Sequence, residues 1–540
     1  MFRLTWRLQR AGLLAMSAFG IFYGLVQAAA YNAVAGTTPA ARLEFGQQME
    51  TVGRQFSLFL PLPHGVETVG GFIQWRVYGA LPLLFGFWAL LSAAGATRGD
   101  EERGLVEQWL GAGVGRARYL LTRVGVFAVA AAIAIALTSA AIEVGAAGAG
   151  SVLPAQPVGE VSLALLALTL AVYAMSMAAA QFVVGRVPAT GLTGLVVAVT
   201  YFINSLSRTV TSLSPVARVI SPFYYYDLSR PLAPGGTFDL AATIGLSVAA
   251  AALVAVSLWL FRIRDLGAPL YRVPVRDRPY TDKPSPNPLL RLPVLSIVYE
   301  QRLGVLAWSL ACATLAFYLA SIGRQMLDLV KGATGFRAYL TLIGHGDPYA
   351  ALTGFLWFGI FQALLAVFAI TQVARWSSDD NEGRLEMILS APVSRTRVVL
   401  ERAAGLLVRT ALIIAVSSLG LYAGAASASI MLNPGSLTVA SLVLIPFGLS
   451  FAAIGAVLAG RAPRAAVGVL SAYAFLSYLL TELGPLVKWP DWTLKLSVFS
   501  LYDSPLTNGV DWTGLGIMSA VTIAGFAIGT VLMQRRDVGA

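Results

Sequence analysis

Apolar runs of 18 or more residues recur along the chain, and each is long enough to cross a hydrocarbon core of about 30 Å. That recurrence leaves few folds open. A backbone in lipid must satisfy its own polar groups, so it spans as helices or as a closed barrel. Ten-residue segments of dyad alternation are absent, which disfavours the barrel. Of the 540 residues, 57% are hydrophobic and 12% charged. A soluble domain carries about twice that charge. The reading is an all-α polytopic membrane protein.

Twelve spans are expected, at 11–31, 73–95, 121–145, 161–184, 189–206, 240–261, 304–321, 350–373, 398–424, 437–459, 464–482 and 513–533. With the N-terminus inside, 27 of the 38 basic residues fall on the inner side and 11 on the outer. By the positive-inside rule, both termini are expected in the cytoplasm. The same rule accounts for the net charge of +11 without a nucleic-acid partner. Arg3, Arg7 and Arg10 precede the first apolar stretch as in a signal peptide, but about 20 apolar residues exceed the usual h-region of roughly 7–15. An uncleaved first helix is expected, with Met1–Arg10 able to lie in the membrane interface. The Arg and Ala bias points to a bacterial cytoplasmic membrane.

An internal repeat organises the chain. Asp100–Arg123 and Asp379–Arg402 align without gaps with 10 of 24 positions identical, among them Gly104 with Gly383, Glu107 with Glu386, and Arg116 with Arg395. Gly185-Arg186-Val187-Pro188 matches Gly460-Arg461-Ala462-Pro463, and Ser221, Phe223, Tyr226 and Asp227 match Ser497, Phe499, Tyr502 and Asp503. The expected layout is therefore two parallel six-helix repeats, 1–262 and 293–540, joined by a Pro- and Arg-rich cytoplasmic linker, 263–292.

The densest chemistry lies after the second span of each half. Acids come first (Asp100, Glu101, Glu102; Asp379, Asp380, Glu382), then a glycine, then a short amphipathic run, then the paired arginines. Leu105, Trp109 and Leu110, or Leu385, Ile388 and Leu389, form an apolar ridge at helical spacing, the pattern of a helix-in-groove contact. A topogenic loop explains the arginines but not the repeated acid–Gly–Glu spacing.

The run Asp380–Arg395, DNEGRLEMILSAPVSR, resembles the signature of type-two ABC transporter permeases, and the duplicated twelve-span layout resembles the exporters of polyketide-type antibiotics. The resemblance implies a coupling helix that docks on a separate ATPase. It assigns that role to Glu101, Glu102, Gly104, Glu107 and Arg116, and to Asp380, Glu382, Gly383, Glu386, Pro392 and Arg395. The first copy departs from the pattern: Arg103 precedes the glycine, Gly113 replaces the proline and Gly115 replaces the serine. The resemblance also places a substrate path along the second and fifth spans of each half. Its candidates are Phe85, Trp88, Tyr201, Phe202, Asn204, Trp357, Phe361, Gln362, Tyr473 and Phe475. Such an apolar, aromatic path suits a small hydrophobic or amphipathic cargo. The long outer segments carry Phe223, Tyr226 and Asp227, and Phe499, Tyr502 and Asp503. The resemblance implies short re-entrant helices there that close the outer exit; read from the residues alone, they are equally interfacial aromatics. In the first outer loop, Phe45, Met49, Val52 and Phe56 share one helical face.

No G-x-x-x-x-G-K-[ST] occurs, so ATP and Mg are expected in the partner, in two copies, and no cofactor is expected here. Two isolated histidines, His64 and His345, and the single Cys312 exclude a clustered metal site. Glu44, Glu50 and Glu67 are too dispersed for a membrane enzyme's metal-binding pair. An ion-coupled transporter with two six-span halves is the alternative. It would place ionisable groups mid-span, where this chain carries mainly Gln181, Asn204 and Gln362.

Overall fold

The structure is a computed structural model. It describes residues 1–55, 57, 60–208, 210–270, 288–323, 353–381, 383–487, 490–503, 505–506 and 509–536. Phe56, Glu382, the linker stretch 271–287, His345 and the start of the span expected at 350–373 lie outside them. The described residues are helical and contain no strand. Among the described residues, eleven helices are long and apolar enough to cross a membrane. The span expected at 464–482 falls within a 25-residue helix, Pro463–Val487, which includes the apolar stretch Ala465–Thr481. The chain divides into two compact units, Met1–Arg278 and Pro279–Ala540.

In the first unit the main helices are α1 (Phe2–Ala29), α2 (Leu81–Ala94), the short α3 (Leu105–Gly111), α4 (Arg116–Gly148), α5 (Ala155–Ala179), α6 (Arg186–Ser207), the short α7 (Pro222–Asp227) and α8 (Leu240–Ile263). A wide turn (Gly95–Gly99) and one further helical turn (Asp100–Glu102) extend α2 toward α3. α1 packs on α4, α2 on α5 and α6, and α5 on α8. Small residues let the α1–α4 backbones approach: a Cβ on Gly145 would sit 2.6 Å from the Leu25 carbonyl. Lipid gives helices no hydrophobic reason to associate, so close van der Waals packing of this kind holds them together. α1 runs unbroken from Phe2, so Phe2–Arg10 form its first turns. The first loop contains the expected helix, at Pro39–Gln55, with Phe45 buried against Phe72.

In the second unit follow α9 (Arg302–Ser321), α10 (Gly359–Asn381), the short α11 (Arg384–Ser390), α12 (Arg395–Ser427), α13 (Pro434–Arg461), α14 (Pro463–Val487), the short α15 (Val498–Tyr502) and α16 (Trp512–Arg535). α9 packs on α12, α10 on α13 and α14, and α13 on α16. The α9–α12 contact again runs through glycine: a Cβ on Gly424 would sit 2.3 Å from the Phe317 carbonyl.

Candidate functional site: the charged end of each unit

In the first unit a left-handed glycine turns the chain from the extended α2 into α3. Gly104 has φ +68° and donates its N–H to the Glu101 carbonyl at 2.9 Å. Nothing lies within 4 Å of a Cβ built there, so the need for glycine is conformational rather than steric. α3 lies against its own unit. Val106 is fully buried, and Trp109 and Leu110 are half-buried against the core. The ridge expected on Leu105, Trp109 and Leu110 is thus largely used inward, and Glu107 and Gln108 face out.

The acids before Gly104 are engaged within the unit. Asp100 pairs with Arg123, is 2.9 Å from Arg103 and accepts from the Tyr119 hydroxyl at 2.8 Å. Glu101 lies between two guanidiniums, Arg98 at 2.8 Å and Arg264 in direct contact. The Glu101 side chain is 4% exposed and both arginines 1%. Charges this enclosed persist only when paired and hydrogen-bonded. The remaining donors are accordingly satisfied: Arg98 reaches the Ala180 carbonyl at 2.6 Å, and Arg264 reaches the Gln181 amide oxygen at 2.7 Å. Glu102 stays exposed and accepts the Arg186 backbone N–H at 2.8 Å. Arg116, the first residue of α4, donates to the carbonyls of Phe261, Arg262 and Arg264 at 2.7, 3.1 and 2.8 Å. A cation on the free carbonyls of a helix C-terminus satisfies groups the helix cannot and complements its dipole.

The second unit builds its own version from corresponding residues. Gly383 has φ +72° and donates to the Asp380 carbonyl at 3.2 Å. Asp379 pairs with Arg402 at 2.9 Å, and Asp380 pairs with Arg536. Arg395, the first residue of α12, donates to the carbonyls of Met533, Gln534 and Arg536 at 3.0, 3.1 and 2.5 Å. Ser394 caps α12 through the Arg397 N–H at 3.2 Å, a cap that Gly115 does not provide for α4. The differences lie in exposure. Asp380 and Arg536 are 10% and 22% exposed, and a cavity of about 40 Å³ adjoins them, lined also by Trp376, Leu385, Ala459 and Phe526. On α11, Leu385 turns inward, while Met387 and Ile388 are 72% and 42% exposed beside exposed Glu386. Pro392, in the loop after α11, is exposed.

Arg98, Arg123, Arg264, Arg402 and Arg536 are missing from the sequence-derived site. Arg123 and Arg402 are identities in the repeat alignment, which signalled them. Arg264 and Arg536 close the sixth expected span of each half and read there only as orientation charges.

Most expected path residues are enclosed within their own unit. Trp88 packs against Phe85 and Phe127, and its indole N–H is buried without a hydrogen-bond partner among the described residues. Trp357 stacks on fully buried Phe361, and Gln362 is buried. Asn204 is buried and donates to Asp227 at 2.9 Å, and Tyr201 packs edge-on against Phe223. Tyr473 and Phe475 are half-buried, with the Tyr473 hydroxyl on the Leu496 carbonyl at 3.0 Å, and Phe202 is 43% exposed.

At the opposite end, Phe223 and Tyr226 are buried, and the Tyr226 hydroxyl donates to the Tyr78 carbonyl at 2.9 Å. Phe499 and Tyr502 are buried likewise, with the Tyr502 hydroxyl on the Ala440 carbonyl at 3.0 Å. These aromatics anchor α7 and α15 to their bundles. Asp227 takes Arg208 at 2.7 Å, and Arg208 also reaches the carbonyls of Ser57 and Leu60 at 2.9 Å. Burial works against the Arg208 cation, but Asp227 beside it prevails and holds its pKa above the ordinary value. Asp503 is exposed, with φ +51°.

Long apolar helices, packed through small residues and with their buried ion pairs gathered at helix ends, mark a multi-pass membrane protein. The family model described as "Multidrug efflux system permease Rv1217c, C-terminal domain" matches residues 1–262 and 290–534, and the chain belongs to that family. The multidrug efflux system permease protein Rv1217c of Mycobacterium tuberculosis (strain ATCC 25618 / H37Rv) is 27% identical over 303 residues, covering 54% of this chain. The match spans 53% of that relative's length.

Proposed function

We propose that the chain is the membrane subunit of an ATP-driven exporter, with twelve spans in two parallel six-helix repeats and both termini in the cytoplasm. It binds two copies of a separate ABC ATPase, which supply ATP and Mg, and moves a hydrophobic or amphipathic compound out of a bacterial cell. The observation that carries this reading is the repeated charged end. Each unit presents a short helix after a left-handed glycine, backed by ion pairs that hold it to the bundle. A loop that served only to orient the chain would need its arginines, not a positioned helix with an outward face. In this reading the residues divide by role. Glu107, Glu386, Met387 and Ile388 face outward for the ATPase. Asp100, Glu101, Asp379 and Asp380 hold the helix in place. The path runs beside the second and fifth spans of each half, with Phe202 its most exposed aromatic candidate.

Co-purification with a co-expressed ABC ATPase tests the docking. Met387→Asp/Ile388→Asp should release one of the two ATPase copies, about halving the ATPase retained, while leaving the permease folded. ATPase retained at the wild-type ratio would remove α11 as a docking element.

A further inference from the structure

In the second unit three helix ends meet at one residue. Arg536 caps the C-terminus of α16. Its guanidinium pairs with Asp380 at the end of α10, one turn before Gly383, and reaches the Ala459 carbonyl of α13 at 2.9 Å. Its own carbonyl accepts from Arg395, the first residue of α12. The last turn of α16 is thereby gripped from two sides, by the helix that enters the α11 segment and by the helix that leaves it. The first unit repeats the arrangement: Arg264 caps α8, pairs with Glu101 and offers its carbonyl to Arg116 at 2.8 Å.

We infer that Arg536 and Arg264 are positioning residues that make the last span of each unit move as one body with its short docking helix. This rests on the reading of α3 and α11 as the ATPase-facing helices and extends it, because it names the span that receives the displacement. A push on α11 has two rigid outlets, the start of α12 and the end of α16, and only the second depends on the Asp380–Arg536 pair. A contiguous contact of this kind can carry coupling between sites when it has two arrangements available to it. The second unit offers the room, since the roughly 40 Å³ cavity beside Asp380 and Arg536 is space into which a released guanidinium can turn.

The test uses the full chain in lipid nanodiscs with Cys312→Ser, and nitroxides on Ser390→Cys at the end of α11 and Arg535→Cys at the end of α16, both exposed positions. Pulsed electron paramagnetic resonance reads the distance between them. The expected result is one narrow distribution that Arg536→Gln broadens about twofold, and that the swap Asp380→Arg/Arg536→Asp narrows again. Should Arg536→Gln fail to accumulate, Asp380→Asn breaks the same pair from the other end and should broaden the distribution equally. An unchanged distribution in the single variants overturns the inference, as does broadening that the swap leaves uncorrected. ATPase binding is not needed for this readout, so failure of the docking reading shows separately, in the co-purification.

Discussion

Glu101 offers the largest single effect. Glu101→Gln keeps the shape of the side chain and removes its charge. It leaves Arg98 and Arg264, each 1% exposed, facing one another without a carboxylate between them. Removing one partner of a buried pair costs about 3–5 kcal/mol, because the other charge stays buried and uncompensated. Here one substitution strands two cations, so the upper part of that range applies. At about 2–4 °C per kcal/mol for a domain of this size, the melting midpoint should fall by about 8–20 °C. The assay is thermal unfolding in detergent followed by fluorescence-detected size exclusion. Two controls calibrate it. Asp380→Asn breaks a pair that is 10% and 22% exposed and should cost less, about 1–3 kcal/mol. Glu107→Gln alters an exposed side chain and should stay within about 0.5 kcal/mol. A Glu101→Gln protein that melts within the error of Glu107→Gln would refute the reasoning, since burial would then not govern the cost.

Three further outcomes follow from the same geometry. Gly424→Val should disrupt the α9–α12 contact, because its Cβ meets the Phe317 carbonyl at 2.3 Å; the yield of folded protein should collapse, whereas Gly148→Ala, where nothing lies within 4 Å, should leave it intact. Gly383→Ala should destabilise by about 1–2 kcal/mol, the cost of a left-handed conformation for a residue with a Cβ, read as a lower melting midpoint. Asp227→Asn should strand the partly buried Arg208 and free the carbonyls of Ser57 and Leu60, seen as faster hydrogen exchange at those two residues, while ATPase co-purification stays unchanged.

Much of this architecture was legible in the sequence because it is local. Apolar length set the spans, and the ungapped match between Asp100–Arg123 and Asp379–Arg402 located the short helices. The acids' pairing was not legible because their partners are tertiary. Glu101 meets Arg264, 163 residues away, and nothing in the local spacing announces that pairing. A run of three acids before a glycine reads as a surface, yet Asp100 and Glu101 point into the bundle and Glu102 caps the turn before α6. The ridge on α3 misled for a related reason. A seven-residue helix lying on its own unit spends its apolar face there, and only the exchange of Gln108 for Met387 and Trp109 for Ile388 leaves apolar surface outward on α11. The aromatic candidates were placed by helix number alone. Packing decides which way each ring points, and Trp88, Trp357 and Phe361 point into cores.

The central claim is that two short helices on one chain each receive an ATPase. Native mass spectrometry of the purified assembly, with the partner ATPase co-expressed, tests it most directly. The account predicts one permease with two ATPase copies, falling to one copy in Met387→Asp/Ile388→Asp. A permease that carries no ATPase under conditions where the ATPase is folded and abundant would contradict it.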